Sequence, residues 1–266
     1  MVVDVKQADA RDATRLHDQL LWRIMLRYAV VTESMQIGPI SFEFTRVADP
    51  DRVLDEVAQE EDRREKLTGK RKREDELHLP YWAELWDSSI GLAHFLVRQW
   101  AFCGAGESRL AQFAREQIRN PQRAVRAIDV GCGMGLAGVS AARLGLHVLF
   151  ADLEPPALLF ARLNSLPDRE RCRYRRVNWQ IDRLQERFDF ILGADIVYDR
   201  SQWSFLHTFF EAHLAPGGAV LIGEPGRSSG EEFEPWISAR GWRMARFNQE
   251  IPGRREPIRL LQLTRD

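Results

Sequence analysis

The chain has 266 residues, 44% hydrophobic and 29% charged, a length and composition that suit one large α/β domain with an added N-terminal region. A net charge of −1 leaves no basic excess for a nucleic-acid partner; no stretch reaches the roughly 20 apolar residues that span a bilayer, and Met1–Ala10 lacks the layout of a signal peptide. Cys103, Cys132 and Cys172 are too scattered for a disulfide framework and the histidines show no ligand spacing, so a cytoplasmic setting, no membrane and a metal-free site are expected.

Residues 12–34 carry apolar side chains at helical spacing (Leu16, Leu20, Ile24, Tyr28, Val31), which predicts an amphipathic helix. Ile37–Val47 alternates apolar and polar residues as a half-buried strand does. Asp49-Pro50, followed by Asp51 and Glu56, opens a second helix, since proline and acidic residues favour helix N-termini. That helix is expected to dissolve into the mixed-charge run Glu60–Glu76. Within the run, Lys70-Arg-Lys-Arg73 fits a localisation or phosphate patch, but a solvated linker of compensating charges is the favoured reading. Residues 1–79 therefore form a helix-and-strand extension and residues 80–266 the main domain.

From residue 125 onward strands and helices alternate. Strands are predicted near 125–130, 146–151, 172–177, 188–194 and 218–223, and helices near 136–144, 155–165, 201–214 and 230–240. Such alternation implies a parallel sheet covered by helices on both faces. The tail differs: Trp242–Phe247 and Ile258–Thr264 read as consecutive strands joined through Pro252-Gly253, a hairpin closing the sheet.

Asp129-Val-Gly-Cys-Gly-Met-Gly135 lies between the first of these strands and its helix. Gly131, Gly133 and Gly135 let the chain turn sharply and let a ligand approach the backbone, beside the free amides of a helix N-terminus. Asp129 stands where a carboxylate can hold a cationic amino group, directly or through water. Asp152 follows 23 residues later, at the end of the second strand, where a carboxylate accepts both ribose hydroxyls of a nucleoside; Glu154 is the second choice. Gly133-Met-Gly-Leu-Ala-Gly138 also matches the G-x-G-x-x-G fingerprint of NAD, and a glycine turn used only for packing is the plain alternative. Asp129, the terminal hairpin and the long region ahead of the loop favour S-adenosylmethionine over NAD.

Two further segments, Leu85–Leu96 ahead of the core and Gly193-Ala-Asp-Ile-Val-Tyr-Asp199 after the fourth core strand, join Ile128–Gly135 in a wider pattern. Together they resemble the class I, seven-β-strand lysine methyltransferases that carry an Asp-x-x-Tyr motif, over about residues 80–265. The resemblance implies a Rossmann-like seven-stranded sheet, mostly parallel with an antiparallel C-terminal hairpin, and S-adenosylmethionine as cofactor. It also implies that Trp86 flanks the cofactor and that Asp195 and Tyr198 face the methyl-transfer pocket, with Asp195 bordering the cofactor too. Asn178-Trp179 is implied to edge the adenine. An acidic residue is more usual at Asn178, whose side-chain carbonyl still offers an acceptor to the adenine amino group.

From the residues alone, Asp195 closes the apolar strand Phe188–Ala194, and ligands of open α/β sheets bind beyond the carboxyl ends of strands. The aromatics of Pro80–Trp86 either wall a pocket for a cation or pack the N-terminal region on the core, the packing role being favoured for Tyr81 and Trp82. Glu224-Pro225 either borders a substrate channel or turns the chain. The function expected is S-adenosylmethionine-dependent N-methylation of a lysine in a protein substrate. The alternatives are a methyltransferase for a small nicotinamide-like heteroaromatic or amine, a binding module without turnover, and an NAD-linked oxidoreductase.

Overall fold

The computed structural model describes residues 5–69, 79–101 and 108–265; Lys70–Arg73 and Cys103 lie outside the described residues. The chain opens with α1 (Val5–Met25) and an antiparallel hairpin of β1 (Val30–Ile37) and β2 (Ile40–Val47). The helix expected over 12–34 thus stops at Met25, because Val30-Val31-Thr32 is a β-branched run that favours extended backbone. Tyr28 continues the apolar rhythm past the end of the helix because it packs on the same core. The strand expected over Ile37–Val47 is in fact the second arm of this hairpin, together with its turn. Gly38-Pro39 makes that turn: Gly38 has φ 57°, while the proline ring holds φ at about −65°, the pairing a type II′ turn requires.

The second helix, α2 (Pro50–Thr68), starts as expected, with Asp49 accepting the Arg52 amide at 3.1 Å as N-cap. It does not dissolve at Glu60. Pairs spaced i,i+3, Glu60–Arg63 and Glu61–Arg64, run along it until Gly69, at φ 65°, terminates it. Two helices that the sequence patterns do not announce, α3 (Asp87–Ala101) and α4 (Arg109–Arg119), precede the sheet.

The expected alternation then follows: β3 (Arg126–Val130), α5 (Leu136–Arg143), β4 (His147–Asp152), α6 (Pro155–Asn164), β5 (Cys172–Arg176), β6 (Phe188–Ala194) and α7 (Trp203–His213). It continues with β7 (Leu214–Glu224), α8 (Ser228–Ser238), β8 (Arg243–Gln249) and β9 (Ile258–Thr264). Seven strands form one sheet in the order β5-β4-β3-β6-β7-β9-β8. β3 to β7 run parallel, whereas β9 is antiparallel to both β7 and β8, so the α/β class, the seven strands and the closing hairpin agree with expectation. Chain order reverses beside β3, which puts the switch point of the sheet at the carboxyl ends of β3 and β6.

Two apolar layers cover the sheet, one built with α3, α5 and α6 and the other with α7 and α8. Leu20 and Ile24 of α1 and Phe42 and Phe44 of β2 belong to the first layer, so the extension shares a core with the main domain. Asn164, buried at the end of α6, ties the two together. Its Oδ1 accepts the Thr45 amide at 2.8 Å, and its Nδ2 donates to the carbonyls of Thr45 (2.9 Å) and Met134 (3.0 Å). Among the described residues no helix is long and apolar enough to cross a membrane, and no cluster of His, Cys, Asp and Glu could hold a metal ion.

Candidate active site

The candidate site residues after position 125 gather at the carboxyl ends of the parallel strands. The glycine loop follows β3, Asp152 ends β4, Asn178-Trp179 follows β5, and Asp195 and Tyr198 follow β6. Within the loop Gly133 sits at φ 53°, where a branched side chain would be strained, and a Cβ there would stand 3.4 Å from the Trp82 carbonyl oxygen. Gly135 serves a different purpose. At φ 91° it caps α5, and a Cβ would crowd Ala161 Cβ at 2.9 Å and the Phe150 ring at 3.1 Å, so its smallness lets α6 and β4 close on the loop.

Two buried carboxylates hold this loop through backbone amides. Asp152 Oδ2 accepts the Gly133 amide and Oδ1 the Glu154 amide, both at 2.9 Å. Asp129 Oδ2 accepts the Gly138 amide at 2.8 Å, supplying the helix cap that Gly135, without a side chain, cannot. Among the described residues neither carboxylate forms an ion pair. Burial therefore pushes Asp129 up to about 7, with the nearby Asp152 charge adding to it and the Gly138 amide opposing it. Burial likewise pushes Asp152 up to about 6 against the pull of the Glu154 and Gly133 amides. Glu154 is half-buried at the N-cap of α6. Burial and both carboxylates raise the Cys132 thiol well above its usual range, so it is no ready nucleophile.

Trp179 lies against the loop, its Cζ3 3.4 Å from where a Cβ on Gly131 would be, with its Nε1 donating to Gln202 Oε1 at 3.2 Å. Asn178 is drawn into a local turn instead. Its Oδ1 accepts the Gln180 amide at 3.0 Å and its own amide donates to Asp182 Oδ2 at 2.7 Å, so the expected acceptor for adenine is already engaged.

A second cluster stands beside the loop, linked through Ile196, whose Cγ2 is 3.4 Å from the same Cβ position on Gly131. A short 3₁₀ turn, Tyr81–Ala83, carries Tyr81 next to Trp86, whose Nε1 donates to the Tyr81 carbonyl at 2.9 Å. The Tyr81 ring meets Trp86 at 6.3 Å and Tyr198 at 6.0 Å between centroids. Tyr81 is 46% exposed, so the packing role expected for it does not hold; it faces this cluster. That role does hold for Trp82, which packs on Tyr28 at 5.2 Å and Phe160 at 5.8 Å.

Asp195 is buried and adopts φ 53°, a conformation rare outside glycine, with its amide donating to the Gly223 carbonyl at 2.8 Å. Arg227 holds its carboxylate through both oxygens: Nε donates to Oδ1 at 3.1 Å and Nη2 to Oδ2 at 2.7 Å. The same guanidinium lies 5.7 Å from the Trp86 ring centroid. Arg227 did not emerge from the sequence; its position just beyond β7, at a strand's carboxyl end, is the signal that could have found it. Of the two roles open to Glu224, the structure supports turning the chain. Buried beneath the loop, it accepts the amides of Gly226 and Arg227 through Oε1, and Oε2 pairs with Arg259 Nε at 2.6 Å.

Residues 72–233 match the family described as lysine methyltransferase. The chain is 29% identical over 157 residues to the electron transfer flavoprotein β subunit lysine methyltransferase of Xenopus laevis, covering 56% of this chain and 54% of that protein. It is 31% identical over 150 residues to protein N-lysine methyltransferase METTL21A of Danio rerio, covering 53% and 58%. A ubiquinone biosynthesis O-methyltransferase of Sinorhizobium medicae is 30% identical over 112 residues, covering 41% and 45%. The chain spans about half the length of the curated relatives it matches. The family match takes in well over half of the chain and runs from the segment before α3 into α8; the chain belongs to the lysine methyltransferase family.

Proposed function

We propose that the chain is an S-adenosylmethionine-dependent methyltransferase that N-methylates a lysine of a protein substrate. One observation carries this function: two buried carboxylates, Asp129 and Asp152, hold the glycine loop with no cationic partner among the described residues. A ligand with a sulfonium and an ammonium group supplies the positive charge such a site lacks. The pyrophosphate of NAD would bring negative charge to the same place, which disfavours the oxidoreductase alternative.

In this reading Asp152 accepts the ribose hydroxyls and Asp129 holds the amino group, directly or through water. Gly131 and Gly133 leave the backbone open, Trp86 flanks the cofactor and Trp179 edges the adenine, with Asn178 contributing less. When bound, S-adenosylmethionine supplies a methyl group already activated for in-line displacement. The chain's own part is positioning, exclusion of water and handling of one proton. Tyr81, Trp86 and Tyr198 offer ring faces that attract an ammonium at about 0.5–2 kcal/mol each. A lysine acceptor, with an ordinary pKa of about 10.4, must lose its proton; burial beside the sulfonium charge of the cofactor lowers that value, and Asp195 orients the nitrogen or takes the proton. Burial raises the Tyr198 hydroxyl above its usual range, so it stays protonated and available as a donor.

A protein acceptor is supported by the two relatives named as protein-lysine and flavoprotein-lysine methyltransferases. We assign the extension, residues 1–79, to acceptor selection, because Tyr28 packs on Trp82 and Trp82 borders the loop. The free thiols of Cys132 and Cys172 fit a reducing cytoplasmic setting. Calorimetry with S-adenosylhomocysteine and with NAD tests the cofactor: tight NAD binding with no response to S-adenosylhomocysteine overturns the reading. Labelled S-adenosylmethionine incubated with a cell lysate tests the acceptor. Label on protein lysine is expected; label confined to small molecules transfers the enzyme to the small-amine alternative.

A further inference from the structure

The carboxylate assigned to the acceptor is not open to it. Asp195 has a side chain only 6% exposed, and the Arg227 guanidinium, 43% exposed, holds both of its oxygens from the solvent side. That guanidinium also lies 5.7 Å from the Trp86 ring centroid, within the cluster formed by Tyr81 and Tyr198. A carboxylate faced by aromatic rings is the environment that would recognise an alkylammonium, and here a cation of the protein itself fills it.

We propose that Arg227 is an internal stand-in for the acceptor: its guanidinium occupies the acceptor's cation site in the resting protein, and an incoming primary ammonium displaces it from Asp195. The inference rests on the assignment of Asp195 to the acceptor side. Three features suit Arg227 to the task. Its side chain is the exposed member of the pair, so moving it into water costs less than uncovering Asp195 by any other route. Its backbone is a fixed pivot, because Glu224 Oε1 accepts the Gly226 and Arg227 amides and Arg259 Nη2 donates to the Arg227 carbonyl at 3.0 Å. The exchange also replaces one cation by another, so the buried carboxylate is never left unpaired, a state that would be strongly destabilising. A neutral group cannot make this exchange, and the latch therefore selects for charged acceptors.

The test uses n-butylammonium as a minimal lysine side chain, with n-butanol as the neutral control, titrated into the full chain and followed by NMR. An internal competitor reduces apparent affinity by the fraction of time it leaves the site free, so Arg227→Met should bind n-butylammonium about tenfold more tightly than the unaltered chain, and Arg227→Lys should fall between them. In the unaltered chain, n-butylammonium should move the Arg227 Nε–Hε resonance, assigned by its loss in Arg227→Lys, towards the position of a free guanidinium; n-butanol should not. Asp195→Asn should abolish the gain in the Arg227→Met background. Should Arg227→Met fail to fold, the intermediate gain in Arg227→Lys and the resonance shift still decide. No tighter binding in either variant, no binding of n-butylammonium at all, or binding that leaves the Arg227 resonance in place would overturn the latch. S-adenosylhomocysteine calorimetry on the unaltered chain is a separate readout, so loss of the cofactor reading and loss of the latch are told apart.

Discussion

The two sides of the candidate site are built in opposite ways. The loop side comes from one stretch, Asp129 to Glu154, and is tied throughout by backbone groups: its two carboxylates accept backbone amides, and the Cys132 amide donates to the Ala151 carbonyl at 3.1 Å. The other side brings Tyr81, Trp86, Asp195, Tyr198 and Arg227 from three distant parts of the chain, joined to one another mainly through side chains: ring contacts, the Trp86 indole on the Tyr81 carbonyl and one ion pair. Backbone ties make a rigid cradle, whereas side-chain ties can exchange partners. We expect the first side to fail abruptly when altered and the second to fail by degrees, with cofactor binding and turnover separable between them.

The largest effect should come from Gly133→Val. A β-branched residue at φ 53° strains the turn, and its bulk is directed at the Trp82 carbonyl. Calorimetry should detect no S-adenosylhomocysteine binding by a chain that still melts cooperatively. Next in size, Asp195→Ala should cut single-turnover methylation by two or more orders of magnitude, about 3 kcal/mol of transition-state stabilisation, while S-adenosylmethionine affinity stays within a few-fold. If Asp195 only anchors Arg227 and the strand end, thermal melts will show a less stable protein with unchanged turnover per folded molecule.

The same contrast explains what could be read in advance. The glycine loop was legible because strand, turn and helix are contiguous, and Asp152 because a helix crossover fixes the spacing between adjacent parallel strands. The sheet and its closing hairpin were legible for the same local reason. Arg227 was not, since its partner Asp195 lies in another β–α unit and ion-pair partners leave no periodic trace. In the N-terminal region, Tyr28 extends the apolar rhythm of α1 beyond its last residue because it packs on the same core, so periodicity alone could not mark the end of the helix. The anchoring of that region by Asn164 was equally hidden, being a contact between residues 119 apart in sequence.

Asp152→Ala should weaken cofactor binding by about 1–3 kcal/mol, the cost of unmade hydrogen bonds to a charged group, and leave turnover at saturating cofactor little changed. A related but smaller effect is expected from pH. Folding raises Asp129 from 3.8 to about 7 and Asp152 from 3.8 to about 6, so the folded chain binds more protons than the unfolded chain across that interval. The ligand-free protein should therefore lose stability as pH rises from about 4 to about 7. A cationic ligand favours the ionised carboxylates, so S-adenosylmethionine affinity should rise several-fold over the same interval and then level off. Calorimetry in buffers of different ionisation enthalpy should detect proton release near neutrality; affinity independent of pH would remove both carboxylates from the binding site.

The smallest expected effect distinguishes a hydroxyl from a wall. Tyr198 is 48% exposed, its ring meets Tyr81 edge-on, and burial of its inner part keeps the hydroxyl protonated. If the ring chiefly forms one side of an acceptor channel, Tyr198→Phe preserves the contact with Tyr81 and should lower turnover no more than a few-fold, with the loss appearing in KM. Tyr198→Ala would open the channel to water beside Asp195 and Arg227, and should cost more in kcat than Tyr198→Phe does in either constant. Equal and large losses in the two variants would instead assign the hydroxyl a direct hydrogen bond to the acceptor. That outcome would also make this side of the site less adjustable than its ring contacts suggest, because one directional bond tolerates displacement far less than an aromatic edge does.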